Sequence, residues 1–166
     1  IDTPPELRLQ LAAAGATHLD AVLFTHDHAD QTNGIDDLRA FFMRTRKQVR
    51  AHFDAPTLAS LRMRFGYCFN GGPGYPGIID VGEEMRPLQD VKIDGPGGAM
   101  RLLPLRQFHG AIESLGFRVG AFAYSNDVVA MPEESFEALG DLDLWIVDAL
   151  RDTPLNENQK HYIDVI

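Results

Sequence analysis

The segment Thr25-His26-Asp27-His28-Ala29-Asp30 sets two imidazoles and a carboxylate at every second position, directly after the apolar run Ala21-Val22-Leu23-Phe24. In an extended segment such side chains share one face, and on a loop leaving a strand they can wrap a single ion. Nitrogen and oxygen donors of this kind suit zinc. A purely structural reading has to explain three metal-competent side chains at the exit of one buried strand.

Other candidates stand at similar junctions. His109 follows the apolar stretch Leu102 to Phe108 and precedes Gly110. Asp127 follows Ala123-Tyr124-Ser125, and Asp148 follows Trp145-Ile146-Val147. In layered α/β proteins functional groups collect where strands release the chain, so such ends can converge on one cleft. Taken singly, each has a plainer role. A lone histidine at a strand end is more often hydrogen-bonded within the structure, and Asn126-Asp127 fits the N-cap of a following helix. His18, His52 and His161 lack companions and read as structural or solvated residues.

The elements that must position these groups follow from local pattern. Thr3-Pro4-Pro5-Glu6 has capping-box spacing and predicts a helix to about Ala14, ended by Gly15. Ala21 to Thr25 reads as a buried strand, His26 to Asn33 as a loop, and Ile35 to Met43 as a helix. A second β-to-α step is expected from Val49–Phe53 into a helix opened by Asp54-Ala55-Pro56, which carries Leu58, Leu61, Met63 and Phe65. Asn70 to Gly77 is a Gly/Pro-rich loop whose Tyr75 can pack over a neighbouring surface. Strands are expected at Ile78–Val81, Leu88–Ile93, Met100–Phe108, Leu115–Val119 and Gly120–Tyr124. A helix over Val128 to Leu139 and a last strand from Leu142 to Val147 complete a layered α/β domain.

Composition bounds the function. With 166 residues and 45% hydrophobic content the chain can bury a core, and its net charge of −9 provides no broad footprint for DNA, RNA or anionic lipid. The single cysteine, Cys68, excludes an internal disulfide framework and multi-cysteine zinc clusters, and is compatible with a reducing, cytoplasmic setting. No apolar run approaches the ~20 residues that span a bilayer. The start Ile1-Asp2-Thr3-Pro4-Pro5 lacks the features of a signal peptide, and an initiator methionine is absent.

The run Thr25 to Gln31, continuing as Gly34-Ile35-Asp36-Asp37-Leu38-Arg39, resembles the His-x-His-x-Asp-His signature of metallo-β-lactamase-fold hydrolases, and within them the branch containing phosphoribosyl cyclic phosphodiesterase. Phe65-Gly66-Tyr67-Cys68-Phe69, His109-Gly110, Glu113 to Phe117, Tyr124-Ser125-Asn126-Asp127 and Asp148-Ala149-Leu150-Arg151 follow in that branch's order. The resemblance covers residues 1–154, leaving 155–166 as a tail of different character. It implies an αββα sandwich, incomplete at both ends. An incomplete first sheet would leave an unpaired edge that flanking sequence or a homo-oligomer would cover.

In that family the first metal is held by both motif histidines, a later histidine and a bridging aspartate, which correspond here to His26, His28, His109 and Asp127. The second metal takes the motif aspartate, here Asp30, the bridging aspartate and two further histidines. Gln31 stands where one of these is expected, and the terminal one has no counterpart. The resemblance thus implies a metal-dependent hydrolase of a small cyclic or nucleotide-like phosphodiester, with zinc ahead of manganese or iron. Asp30 would orient the attacking water or hold a weaker second ion. The alternatives are a non-catalytic domain with at most one metal, and lactone, thioester or RNA 3′-end hydrolysis on the same fold.

Overall fold

A computed structural model describes residues 1–148. They form two compact units. The first comprises Ile1–Met85 and Ile93–Gly98, and the second comprises Arg86–Lys92 and the chain from Ala99 onward.

The first unit contains α1 (Leu7–Ala13), β1 (Val22–Leu23), α2 (Ala29–Thr32), a 3-10 turn (Ile35–Leu38), α3 (Arg39–Thr45), β2 (Val49–His52), α4 (Ala55–Arg64), α5 (Gly66–Asn70) and β3 (Ile79–Val81). The strands form a parallel sheet in the order β1-β2-β3, with Val22 opposite Ala51 and Val49 opposite Ile79. Helices bridge successive strands, as parallel pairing requires. Phe24, Ile35, Leu38, Ala51, Leu61, Cys68 and Ile78 are fully buried in one cluster. Within it the Phe24 and Phe53 rings stack 4.7 Å apart, so the strand that leads into the histidine loop is anchored by its last apolar residue.

Several local expectations are corrected. Thr3 does not cap α1. It is buried, and its hydroxyl donates to the Thr32 carbonyl at 3.3 Å. The helix therefore begins later, at Leu7. It ends in a Schellman turn, with Ala16 N–H bonded to the Leu11 carbonyl and Gly15 at φ 63°. The stretch read as a loop, His26 to Asn33, contains α2, whose first turn opens at His28. The helix expected over Ile35 to Met43 divides into a 3-10 turn and α3. Asp54 caps α4 as expected, accepting from Thr57 N–H at 2.9 Å. Met63 is 83% exposed and lies on the solvent face of that helix.

β4 (Val91–Gly95) starts later than the sequence indicates, and the unit boundary falls within it. The second unit then contains β5 (Gly98–His109), β6 (Ile112–Val119), β7 (Phe122–Ser125), α6 (Glu133–Glu137) and β8 (Leu144–Val147). β5, β6, β7 and β8 are successive neighbours in one sheet, antiparallel except for the parallel β7–β8 pair. Leu105, Ala123 and Leu139 form a small core with Leu103, Met131 and Trp145. The helix expected over Val128 to Leu139 shrinks to Glu133–Glu137. Its first part is extended because Val129 N–H bonds the Phe108 carbonyl at 2.8 Å and Ala130 bridges Phe108. No helix among the described residues is long and apolar enough to cross a membrane.

Candidate metal centre

The first unit brings His26 and His28 together. Their rings meet edge to face with centroids 4.6 Å apart, and each ring offers a nitrogen within 4.8 Å of the other's. His26 is 1% exposed, whereas His28 faces solvent. The difference follows from the backbone: His26 leaves the sheet next to the buried Thr25, while His28 caps α2 in an extended conformation.

The buried imidazole is held by a chain of polar contacts. Asp2 is only 6% exposed; its carboxylate accepts the Thr25 backbone N–H at one oxygen and the Thr25 hydroxyl at the other, both at 2.8 Å. The same hydroxyl lies 3.0 Å from His26 Nδ1. The segment bearing Asp2 is itself pinned to this loop, with Asp2 N–H on the Leu23 carbonyl and Thr3 N–H on the Gln31 carbonyl, each at 2.7 Å.

From the other side α4 grips the loop. Ser60 Oγ donates to Asp27 Oδ2 at 2.5 Å, and the Arg64 guanidinium bonds both the Asp27 carbonyl and, at 3.0 Å, Asn33 Oδ1. Asp30 is exposed in the first turn of α2, where its carboxylate accepts from the Gln31 amide at 3.3 Å.

In the second unit His109 is the last residue of β5. It pairs with Ile112 across a turn made of Gly110 and Ala111, with Gly110 at φ 62° as such a tight hairpin demands. Asp127 follows β7 but caps no helix; its backbone is left-handed at φ 48°, and α6 begins only after Pro132. Buried Gln107 fixes this stretch, donating to Ser114 Oγ at 3.2 Å and to the Asn126 carbonyl at 3.0 Å, while Ser114 Oγ donates to the Asp127 carbonyl at 3.3 Å. Gly116 leaves room for it, since a Cβ there would lie 2.2 Å from Gln107 Oε1.

The remaining candidates have other engagements. His18 pairs with Asp20 at 2.9 Å on the surface, and buried His52 Nδ1 lies 3.0 Å from the Glu83 carbonyl. Arg39 sits 4.9 Å from the centre of the Tyr75 ring and 3.9 Å from Asp36. Asp148 N–H bonds the Ser125 carbonyl at 2.8 Å, extending the β7–β8 pairing. Arg151, His161 and the tail 155–166 lie outside the described residues. Sequence reasoning passed over Asp2, Ser60, Gln107 and Ser114. Each acts through a contact made far along the chain, and the one local hint was the threonine beside the first histidine.

A histidine pair at the exit of a parallel strand, within an α/β chain of two sheets, agrees with the metallo-β-lactamase resemblance read from the sequence. The chain matches the family described as "Beta-lactamase superfamily domain" over residues 1–162, and it belongs to that family. Among solved structures, a diphosphatase from the PhnP family matches with a TM-score of 0.78 and 30% identity, over 93% of this chain and 56% of that one. The metallo-β-lactamase fold protein YhfI from Bacillus subtilis matches at 0.51 and 15% identity, over 74% of this chain and 47% of that one, a likeness of fold alone. In sequence the chain is 33% identical over 171 residues to an octanoyltransferase of Porphyromonas gingivalis, covering 100% of this chain and 33% of that protein. The chain thus spans a third of that relative's length and little more than half of the diphosphatase's.

The donor set fits a divalent cation. Two imidazoles close enough to share an ion, one of them buried and oriented by a carboxylate through a hydroxyl, is the arrangement that metal-binding histidines ordinarily have.

Proposed function

We propose that this chain is the metal-binding part of a hydrolase that cleaves a small phosphodiester, cyclic or nucleotide-like. As the resemblance implies, His26, His28 and His109 would supply imidazoles and Asp127 a carboxylate to one divalent cation, zinc ahead of manganese or iron. The observation that carries the reading is the paired His26 and His28 rings, with His26 buried and held at Nδ1. The 30% identity to a diphosphatase over most of this chain supports a phosphoryl substrate. When bound, the cation supplies a water of lowered pKa and polarises a phosphoryl oxygen. Asp30, exposed and at the first turn of α2, would orient the attacking water. An acidic chain of net charge −9 suits a small substrate better than DNA, and the lone cysteine agrees with a cytoplasmic setting.

A second reading, a metal-binding domain without hydrolysis, draws on Gln31. Its neutral amide occupies the position of an expected histidine and donates to Asp30, so a second ion loses a strong ligand there. Metal analysis and hydrolysis of bis(p-nitrophenyl) phosphate by the purified chain separate the two. The enzyme reading expects about one ion per chain and turnover abolished in His26→Ala. A chain that holds its metal but never turns over the ester supports the second reading.

A further inference from the structure

We propose that Asp2, acting through Thr25, is a positioning residue that sets the tautomer of His26 and so aims the lone pair of Nε2 at the metal. The inference rests on the proposed role of His26 as a ligand, but it concerns a property of the metal-free chain.

An ionised carboxylate only accepts hydrogen bonds, so the Thr25 hydroxyl must spend its single proton on Asp2 Oδ2 at 2.8 Å. The second carboxylate oxygen takes the Thr25 backbone N–H, which fixes the carboxylate against the same residue. The hydroxyl then has only lone pairs to offer His26 Nδ1 at 3.0 Å, and a contact at that distance is satisfied when Nδ1 carries the hydrogen. A neutral imidazole protonated at Nδ1 has its lone pair on Nε2. Asp2, Thr25 and His26 are all buried, so solvent does not compete for these partners.

The residues converge from distant positions. Asp2 stands 23 positions before Thr25, and its φ of 58° is a left-handed backbone uncommon for an aspartate. Strain of this kind persists where surrounding contacts hold it; here the flanking N–H groups of Asp2 and Thr3 are tied to the Leu23 and Gln31 carbonyls.

Two substitutions separate positioning from general support. In Asp2→Asn the amide can donate to the Thr25 hydroxyl, whose proton is then released toward His26 Nδ1, moving the ring hydrogen to Nε2. Thr25→Ser keeps the hydroxyl. Long-range 1H–15N NMR of the metal-free chain at about pH 8, above the ordinary imidazole pKa of ~6.5, reads the tautomer directly. Zinc titration against a competing chelator reads affinity. The expected results are Nδ1–H for His26 in the natural chain and in Thr25→Ser, and a shift toward Nε2–H in Asp2→Asn. Zinc affinity should fall about 10- to 100-fold in Asp2→Asn, the usual cost of losing a partner that orients a ligand. A dominant Nε2–H form in the natural chain overturns the inference, whether or not Asp2→Asn folds. So does a folded Asp2→Asn chain with unchanged tautomer and affinity. The expected tautomer in a chain that never binds zinc would leave the relay standing and refute the metal site.

Discussion

Ser60 in α4 donates a 2.5 Å hydrogen bond to the carboxylate of Asp27, the residue between the two motif histidines. Arg64, one turn further along the same helix, bonds the Asp27 carbonyl and Asn33. The helix that follows β2 therefore sets the course of the loop that follows β1. Removing either side chain should loosen that loop. Arg64→Ala is expected to lower stability by about 1–3 kcal/mol, because hydrogen bonds to charged groups are the stronger ones, and to weaken zinc binding. Urea unfolding with and without zinc measures both. An Arg64→Ala chain with natural zinc affinity would show that the loop keeps its shape without the clamp.

His109 tests the contribution of the second unit. His109→Ala removes one of three proposed imidazoles, and tight zinc binding and ester hydrolysis should both disappear. Because His109 sits beside a two-residue turn and is only partly buried, the thermal midpoint of the metal-free chain should change little. Survival of metal content and activity together would sink the assignment.

Gly34 carries a packing prediction. Its N–H donates to the Thr3 carbonyl at 2.8 Å, and a Cβ at this position would lie 2.1 Å from the Pro4 carbonyl oxygen. Gly34→Ala must push the Asp2–Pro4 segment away, at about 1–3 kcal/mol, the usual range for overpacking. Asp2 moves with that segment, so zinc affinity should drop as well. A stability unchanged in urea would mean that the segment shifts at no cost.

Cys68 provides the pH dependence. Burial pushes its thiol up from 9.0 to about 12, helped by the negative charge of Asp36 and a hydrogen bond to it. The native state therefore holds the thiol proton more tightly than the unfolded chain does. The corresponding stabilisation is complete below about pH 9 and is lost as the pH rises through about 12. Tyr67 is raised in the same direction by burial and by its hydrogen bond to Asp36, though 45% exposure weakens its share. Denaturation midpoints should fall as the pH rises from about 9 towards 12, less steeply in Cys68→Ala. The natural thiol should resist alkylation until the chain unfolds.

Sequence alone determined the groups with local grammar. Alternation of short apolar runs with helical segments located each strand among the described residues to within a few positions, and the Asp54 cap appeared where a carboxylate precedes Ala-Pro. His26, His28 and Asp30 were nominated by their two- and four-residue spacing, and His109 and Asp127 because each ends an apolar run.

What tertiary structure decided depends on contacts between distant residues. Thr3 looked like a helix cap and became a buried tie to α2, because its hydroxyl donates to the distant Thr32 carbonyl. Residues 128–131 looked helical and became extended, because Phe108 offered a strand edge to pair with. The same holds at the site. Spacing could nominate His26, but only the fold brings Asp2 to Thr25 and so sets a buried carboxylate behind the hydroxyl that meets the His26 ring. Local sequence can specify which ligand types are present; a proton's position is set by the full circle of neighbours, and that circle closes only when the chain folds.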